Sequence, residues 1–232
     1  RVIPGSLTGE EGRYQIDTRD ASADSRYRLV VEVDGSTYAS EWQEPLQAAK
    51  IDSVSFFEDY ERSRLSIKVS SNGSTGNRYY RWTCGQTWQY TADYYADYYY
   101  QRGIDWTRDT IVKYPNGENV YNCWSTGSVG DIMIASTTEQ SENRLVDHEI
   151  FRIDRSDKRI SYLYCADVVQ AAISEEAYRY WTTLQKNSTD VGGLFSGEPF
   201  EMRGNIVNVD NPDELVLGYI SVSRTETVRC FY

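Results

Sequence analysis

The feature that most constrains this chain is a repeated alternation of apolar and polar residues with a period of two. Residues 27–33 and 36–42 alternate in this way, with Asp34 and Gly35 between them. An Asp-Gly pair between β-branched and aromatic residues is a strong hairpin signal, because Gly tolerates the positive φ of a tight turn. Further alternating runs occupy residues 65–69, 119–124, 131–134, 160–169 and 215–223. The pattern predicts a mainly β protein.

One segment has the pattern of an α-helix instead. Ser174 is a good N-cap residue, and the two glutamates that follow it favour the positive end of the helix dipole. Ala177, Trp181 and Leu184 then recur at helical spacing. We therefore predict a helix over about residues 174–187, packed on the sheet through its aromatic face, with Trp181 in the core.

The first gap that carries a proline divides the chain into two predicted domains. Residues 1–43 hold only two good strands and one poor one, and Pro45 opens a linker. A β-sandwich domain needs about seven strands in ~100 residues, so this piece is too short to be a whole one. We expect residues 1–45 to be the C-terminal strands of a truncated immunoglobulin-like sandwich. Residues 46–232 are expected to form a larger β-rich domain that carries the helix.

Composition and charge narrow the classes of function. Aromatic residues make up 14% of the 232 residues, with 20 tyrosines, which argues against disorder. The net charge of -11 argues against nucleic-acid binding, because affinity for phosphate backbones comes from Lys and Arg. No apolar run approaches the ~18 residues of a membrane span. The chain starts at Arg1 without a signal segment, so we expect a processed chain or part of a longer one.

The four cysteines indicate the compartment. Cys84, Cys123, Cys165 and Cys230 form no CxxC pair and have no neighbouring histidines, so we expect no metal site. An even number of cysteines favours two disulfides in an oxidising compartment, and four reduced thiols are the alternative. Of the three possible pairings, we predict Cys84 with Cys123 and Cys165 with Cys230, because the members of each pair lie on strands expected to be close.

A series of short motifs along the chain resembles a known family. The motifs lie at residues 27–40 (Tyr-x-Leu-x-Val, then Asp-Gly-x-x-Tyr-x-Ser), 51–54 (Ile-Asp-Ser-Val), 80–82 (Tyr-Arg-Trp), 87–88 (Thr-Trp), 123–124 (Cys-Trp), 134–137 (Ile-Ala-Ser-Thr), 174–181 (Ser-Glu-Glu-Ala-Tyr-x-Tyr-Trp), 204–206 (Gly-Asn-Ile) and 216–219 (Val-Leu-Gly-Tyr). Their order and spacing resemble the Bacteroidota outer-membrane lipoprotein family known as domain of unknown function 4249. The resemblance covers nearly the whole chain.

This resemblance implies a location and a class of partner. Family members look like outer-membrane lipoproteins that begin with a lipidated Cys and an immunoglobulin-like domain, and they are often encoded beside a TonB-dependent transporter of the starch-utilisation type. The anchor would lie outside this chain, at the cell surface or the periplasmic face. The resemblance also implies O-glycosylation of Asp-(Ser/Thr)-apolar sequences, which occur at Ser53 and Thr110. Thr110 is the better candidate, because its polar neighbours suggest exposure.

The residues offer no ordered catalytic constellation. His148 is the only histidine, no Gly-x-Ser-x-Gly or helical zinc-protease motif is present, and no Gly-rich phosphate loop occurs. We expect His148 to be a surface residue near a strand start, and we expect no cofactor. A glycosidase needs only two carboxylates ~5–10 Å apart, which 35 acidic residues leave open. A non-enzymatic protein is the favoured interpretation, and a carbohydrate-active enzyme is the alternative.

The segment from Tyr90 to Trp106 is unusually rich in aromatic residues. Tyrosine gives a large contact area at low rotamer cost, together with a hydroxyl for hydrogen bonding. We predict a contact surface for another outer-membrane protein, with binding residues Tyr94, Tyr95, Tyr98, Tyr99, Tyr100 and Trp106. Three alternatives remain: the rings bind a peptide, they stack on a glycan, or they cover the core of their own domain. The predicted function is that of an accessory surface lipoprotein in nutrient uptake or envelope assembly; the alternative is a glycan-binding protein.

Overall fold

The computed structural model describes residues 2–9, 12–73, 76–103, 108–115, 120–189 and 203–232. The described residues are mainly β, with one α-helix and one short 3₁₀ helix. The strands are β1 (Gly5–Leu7), β2 (Tyr14–Ile16), β3 (Val30–Val33), β4 (Ser36–Ser40), β5 (Leu46–Gln47), β6 (Lys50–Asp59), β7 (Arg64–Asn72), β8 (Tyr79–Thr91), β9 (Tyr98–Gln101), β10 (Thr110–Lys113), β11 (Asn122–Ser128), β12 (Met133–Ser136), β13 (Arg144–Asp154), β14 (Tyr164–Ala172), β15 (Ile206–Asn208), β16 (Ser223–Arg224) and β17 (Glu226–Phe231). The helices are α1 (Glu175–Thr189) and the 3₁₀ helix Lys158–Ile160. The predicted fold class is confirmed at the level of a mainly β protein with one α-helix.

The chain forms two compact units, each described by itself. They are unit 1, Arg1–Gln47 with Ile173–Arg224, and unit 2, Ala48–Ala172 with Thr225–Tyr232. The first break lies close to the predicted boundary at residue 45, whereas α1 is grouped with the N-terminal strands rather than with the larger unit. The predicted division into independent domains and the immunoglobulin-like character of the first one stay predictions.

Unit 1 contains a small antiparallel sheet in which β4 lies between β3 and β15. β3 and β4 form the predicted hairpin, and Asp34 and Gly35 in its turn have φ angles of 50° and 81°. A two-residue turn with two positive φ angles matches the right-handed twist of the strands that it joins. The Asp-Gly hairpin is therefore confirmed. In addition, β5 pairs in parallel with β16, and β1 pairs with β2.

The predicted helix is confirmed as α1, which belongs to unit 1. The Ser174 hydroxyl accepts a hydrogen bond from the Ala177 amide at 3.2 Å, so Ser174 is the N-cap. The ring of Tyr180 packs edge-on against Trp181, at 5.3 Å between centroids, and at a tilt against Tyr219, at 5.2 Å. Trp181 is half-buried, so it lies at the margin of the packing rather than in a core as expected.

The alternating run at residues 215–223 forms a strand only at its end, in β16. The side chain of Asn205 takes the place of a partner strand: its amide donates to the Ile220 carbonyl, and its oxygen accepts from the Ile220 amide, both at 2.8 Å. The backbone of Gly218 also approaches Gly204 so closely that a Cβ on Gly204 would lie 1.5 Å from the Gly218 carbonyl oxygen. The strand prediction is therefore wrong for most of this run.

Two antiparallel sheets of unit 2 enclose its core. One sheet has the order β11-β8-β14-β17, with β12 also paired with β8, and the other has the order β13-β7-β6. Strand β17 lies beside β6, and β12 lies beside β13. Alternate side chains of the strands are buried together, as the two-residue period of a strand requires; examples are Leu65, Ile67, Val69, Tyr80 and Trp82.

A buried glutamine joins the two sheets of unit 2. Gln170 on β14 is fully buried, and its oxygen accepts a hydrogen bond from the Trp82 indole N–H at 2.9 Å. Its amide donates to the Ala49 carbonyl at 2.8 Å and to the Ser71 hydroxyl at 3.0 Å. Buried polar groups are stable only when they are hydrogen-bonded, and this side chain satisfies its partners across the core.

Both predicted disulfides are wrong, because all four cysteines are free thiols. Cys123 on β11 lies opposite a β8 residue six positions from Cys84. At a strand rise of ~3.3 Å per residue, the two are about 20 Å apart, far beyond the reach of a disulfide. Cys230 lies opposite the residue that follows Cys165, so these two side chains point to opposite faces of the sheet. The alternative of reduced thiols agrees with the structure.

His148 lies within β13 rather than at a strand start on the surface. It is half-buried, and its ring stacks on Trp82 at 5.5 Å between centroids. The pairing of β13 with β7 is irregular between Leu145 and His148, where Asp147 has a φ of 46°. A β-bulge re-aims the side chains that follow it, which explains why the sequence pattern misplaced this histidine.

Candidate functional site

The tyrosine-rich segment forms an arm of unit 2. Strands β8 and β11 pair from Gly85 and Ser128 to Thr91 and Asn122, and a hydrogen bond from the Ala92 amide to the Tyr121 carbonyl continues the pairing. Farther from β8 and β11, the Tyr114 amide donates to the Asp97 carbonyl at 2.9 Å. Next to this hydrogen bond, β9 pairs with β10. We call residues 92–103, 108–115 and 120–121 the aromatic arm, and β9 with β10 the ribbon.

The register of the ribbon gives it two different faces. Tyr98 lies opposite Lys113 and Tyr100 opposite Ile111, so these four side chains share one face. Tyr98, Tyr100 and Ile111 are 57%, 63% and 73% exposed. This face therefore presents three large, mostly uncovered side chains.

The opposite face of the ribbon packs partly on itself. Tyr99 lies opposite Val112, and the ring of Tyr99 contacts the ring of Tyr114 at 4.9 Å between centroids. Val112 and Tyr114 are both half-buried. This small cluster accounts for the lower exposure of Tyr99 and supports the exposed face behind it.

Tyr94 and Tyr95 lie in the turn before the ribbon. They are 86% and 70% exposed, and the Tyr95 ring lies 6.1 Å from that of Tyr121. Trp106, the sixth predicted binding residue, lies outside the described residues. The structure thus brings the five described tyrosines of the prediction into one arm.

One polar contact closes the end of the ribbon. The Tyr100 hydroxyl donates to a carboxylate oxygen of Asp109, and the Gly103 amide donates to the other oxygen at 3.0 Å. The hydrogen bond raises the pKa of Tyr100 and lowers that of Asp109, so the carboxylate stays ionised and the phenol protonated. The ring of Tyr100 is oriented by this contact while its face remains open to solvent.

The described tyrosines of the arm lie outside the hydrophobic core of unit 2, which is formed by both sheets. For the described tyrosines, the alternative in which the rings cover the core of their own domain is therefore wrong. The sequence analysis missed Ile111 on the exposed face and the supporting rings of Tyr114 and Tyr121. The β-branched run at residues 110–113 is the signal that would have predicted β10.

A pocket in unit 1 is lined by two carboxylates and two aromatic rings. It measures about 380 Å³, is open to solvent, and is lined by Glu41, Glu176, Arg179, Tyr180, Thr183, Arg203, Gly204, Asn205 and Tyr219. The amide at the start of α1 and the Ser174 hydroxyl lower the pKa of Glu176. A glycosidase acid needs a raised pKa, so Glu176 lacks the property of that catalytic group.

The remaining predicted residues lie at separate places. Ser53 on β6 and Thr110 at the start of β10 are both exposed, and their glycosylation stays a prediction. Burial raises the pKa of the Cys84 thiol to about 12 and of the Cys230 thiol to about 11, so neither is an activated nucleophile.

Among the described residues, no group of three or more His, Cys, Asp or Glu side chains is placed to hold a metal ion. In the same residues, no helix has both the length and the apolar character of a membrane span.

Fold and site together define a mainly β protein with an exposed aromatic arm. Comparison with protein families adds the particular assignment: residues 4–229 match the family described as domain of unknown function DUF4249. The chain therefore belongs to this family. No curated protein and no solved structure matches the chain.

Proposed function

We propose that this protein is a non-enzymatic accessory lipoprotein of an outer-membrane complex, and that the aromatic arm is the surface through which it docks. The proposed partner is a TonB-dependent transporter, in nutrient uptake or envelope assembly. A lipid anchor outside this chain would hold the protein at the outer membrane of a member of the Bacteroidota. The resemblance of the motifs to lipoproteins of this kind supports the location and the partner.

The exposed face of the ribbon is the observation that carries the docking role. Tyr98, Tyr100 and Ile111 leave more than half of their surface in water. Interfaces concentrate binding energy in a few anchors, among which Tyr, Trp and Arg are enriched, inside a polar rim. Lys113, which shares this face with Tyr98, supplies a charged residue at its margin.

Tethering makes a small contact surface sufficient. An anchored protein is confined near its partner, and effective concentration of this kind raises occupancy without any additional contact. The arm therefore needs only modest intrinsic affinity. The net charge of -11 keeps the rest of the molecule soluble and away from nucleic acid.

The test is co-purification from outer membranes of the cells that produce the protein. Replacing Tyr95, Tyr98 and Tyr100 by Ala should release the full-length protein from its membrane complex while its far-UV circular dichroism and unfolding midpoint stay unchanged. The control replaces Tyr60, which is 72% exposed in unit 2 but outside the arm, by Ala, and should retain the complex. Retention of the complex by the triple variant would contradict the proposal.

Glycan binding is the second candidate, and the same rings favour it, because exposed aromatic faces are open for stacking on a sugar ring. The two candidates separate in one comparison. If the triple variant keeps its membrane complex but loses binding to an oligosaccharide array, the arm is a sugar-binding surface. If it loses the complex and the wild type binds no oligosaccharide, the docking role stands.

A further inference from the structure

We infer that the aromatic arm binds its partner by strand addition, with the free edge of β9 accepting an extended segment of the partner protein. This inference rests on the proposed docking role and specifies how it is carried out. β9 pairs with β10 and with no other described strand, so its second edge is unpaired in the part of the chain that the structure describes. An open edge presents a row of unpaired N–H and C=O groups that forms a template for another chain.

The hydrogen-bond pattern shows which backbone groups point outward. Asp97 and Tyr114 form a hydrogen-bonded pair, because the Tyr114 amide donates to the Asp97 carbonyl and the two residues are opposite in the continued register. Hydrogen-bonded and non-hydrogen-bonded pairs alternate in antiparallel strands. The backbone groups of Tyr98 and Tyr100 therefore face away from β10, two residues apart, as an added strand requires.

The composition of β9 matches this role, whereas that of β10 does so less well. Natural edge strands are protected by lysines, prolines, bulges or charges that prevent further pairing. The four residues of β9 read Tyr-Tyr-Tyr-Gln and include none of these features. On β10, by contrast, the last residue of the strand is the charged Lys113. The unprotected edge is therefore that of β9.

The stability of the ribbon points the same way. The ribbon pairs only two described strands, whereas independent stability of a sheet needs three or more, so an added strand would stabilise it. The added strand would also place its alternate side chains beside Tyr98 and Tyr100 on one face and beside Tyr99 on the other. The expected partner segment is thus a short extended run with apolar side chains on the face that meets Tyr98 and Tyr100.

Strand addition separates a protein partner from a glycan. The main-chain groups of Tyr98 and Tyr100 would bond to peptide groups, which an oligosaccharide does not supply in a regular row. The partner class is therefore a polypeptide whose segment is free to extend, such as a loop or terminus of a membrane protein.

Residue-resolved hydrogen–deuterium exchange on the full-length protein, free and in the complex purified from native outer membranes, tests the inference. We expect the amides of Tyr98 and Tyr100 to exchange fast in the free protein and at least about tenfold more slowly in the complex, since each gains a hydrogen bond. The outward amides of Ile111 and Lys113 on β10 serve as the internal control and should change less. A complex in which Tyr98 and Tyr100 stay fast overturns strand addition but leaves the docking role intact. Protection on β10 instead overturns the choice of edge, and failure to obtain any complex overturns the docking role itself.

A pair of variants gives an independent readout. Tyr100→Pro removes an outward amide that the ribbon does not use, whereas Tyr100→Val removes the ring and keeps the amide. Strand addition predicts that Tyr100→Pro weakens complex formation about tenfold relative to Tyr100→Val. Equal capture of the two variants would contradict it. Retained exchange protection at Val112, inside the ribbon, confirms that the proline variant keeps the hairpin.

Discussion

Replacing Gln170 by Leu should destabilise unit 2 by about 3 kcal/mol. The substitution removes the acceptor of the Trp82 indole N–H and the donor to the Ala49 carbonyl, and both of these groups stay buried. Ser71 is less affected, because its hydroxyl still donates to the Lys50 carbonyl at 2.9 Å. Two orphaned groups at ~1–3 kcal/mol each cost about 2–6 kcal/mol, and the more apolar leucine returns about 1 kcal/mol.

Urea titration followed by tryptophan fluorescence measures this effect. The transition that reports unit 2 should move to lower urea concentration, whereas Gln140→Leu, at an exposed position, should change stability by less than about 0.5 kcal/mol. Adding Trp82→Phe to Gln170→Leu should cost less than the sum of the single changes, because the orphaned N–H is then absent. A loss below about 1 kcal/mol for Gln170→Leu, or full additivity, would refute the role given to this glutamine.

Three further predictions concern other parts of the fold. Burial lowers the pKa of His148 from its ordinary value of 6.5, so the neutral imidazole contributes its full stabilisation above pH 6.5 and loses it as the pH falls below that value. His148→Gln should therefore make the urea midpoint less sensitive to acidification from about pH 7 to about pH 5. Mass spectrometry should show that iodoacetamide modifies half-buried Cys123 before buried Cys84 in the native protein. Urea titration should show that a reductant leaves the unfolding midpoint unchanged, because the thiols are free. Gly204→Ala should lower the unfolding midpoint strongly, because the added Cβ would collide with the backbone of Gly218. Gly130→Ala is the control: no atom lies within 4 Å of the added carbon, so the same titration should show almost no change.

Local chemistry explains which elements the sequence predicted correctly. The Asp34-Gly35 hairpin and α1 both depend on neighbours in sequence: a turn that tolerates positive φ, and a cap followed by helical spacing. The failures depend on distant partners. The 215–223 run has a strand pattern, but Asn205 occupies the backbone groups of Ile220. The register of strands far apart in the chain likewise decides that the cysteines stay unpaired.

In the candidate site, too, the sequence predicted what depends on local composition and missed what depends on strand pairing. The density of tyrosines identified the segment, because rings in such number exceed what one small core can cover. Which rings share a face required the pairing of β9 with β10, and Ile111 joined the site only through its position opposite Tyr100. The open edge of β9 likewise depends on strand order, which composition does not contain.

Site-specific photocrosslinking is the most direct test of the claim that the arm contacts a membrane protein. Benzoylphenylalanine in place of Tyr98 in the full-length protein, irradiated in native outer membranes, should give one discrete adduct with an outer-membrane protein. The same probe in place of Tyr60, which is at least as exposed but lies outside the arm, should give none. Adducts of equal yield from both positions, or no adduct from Tyr98, would contradict the account.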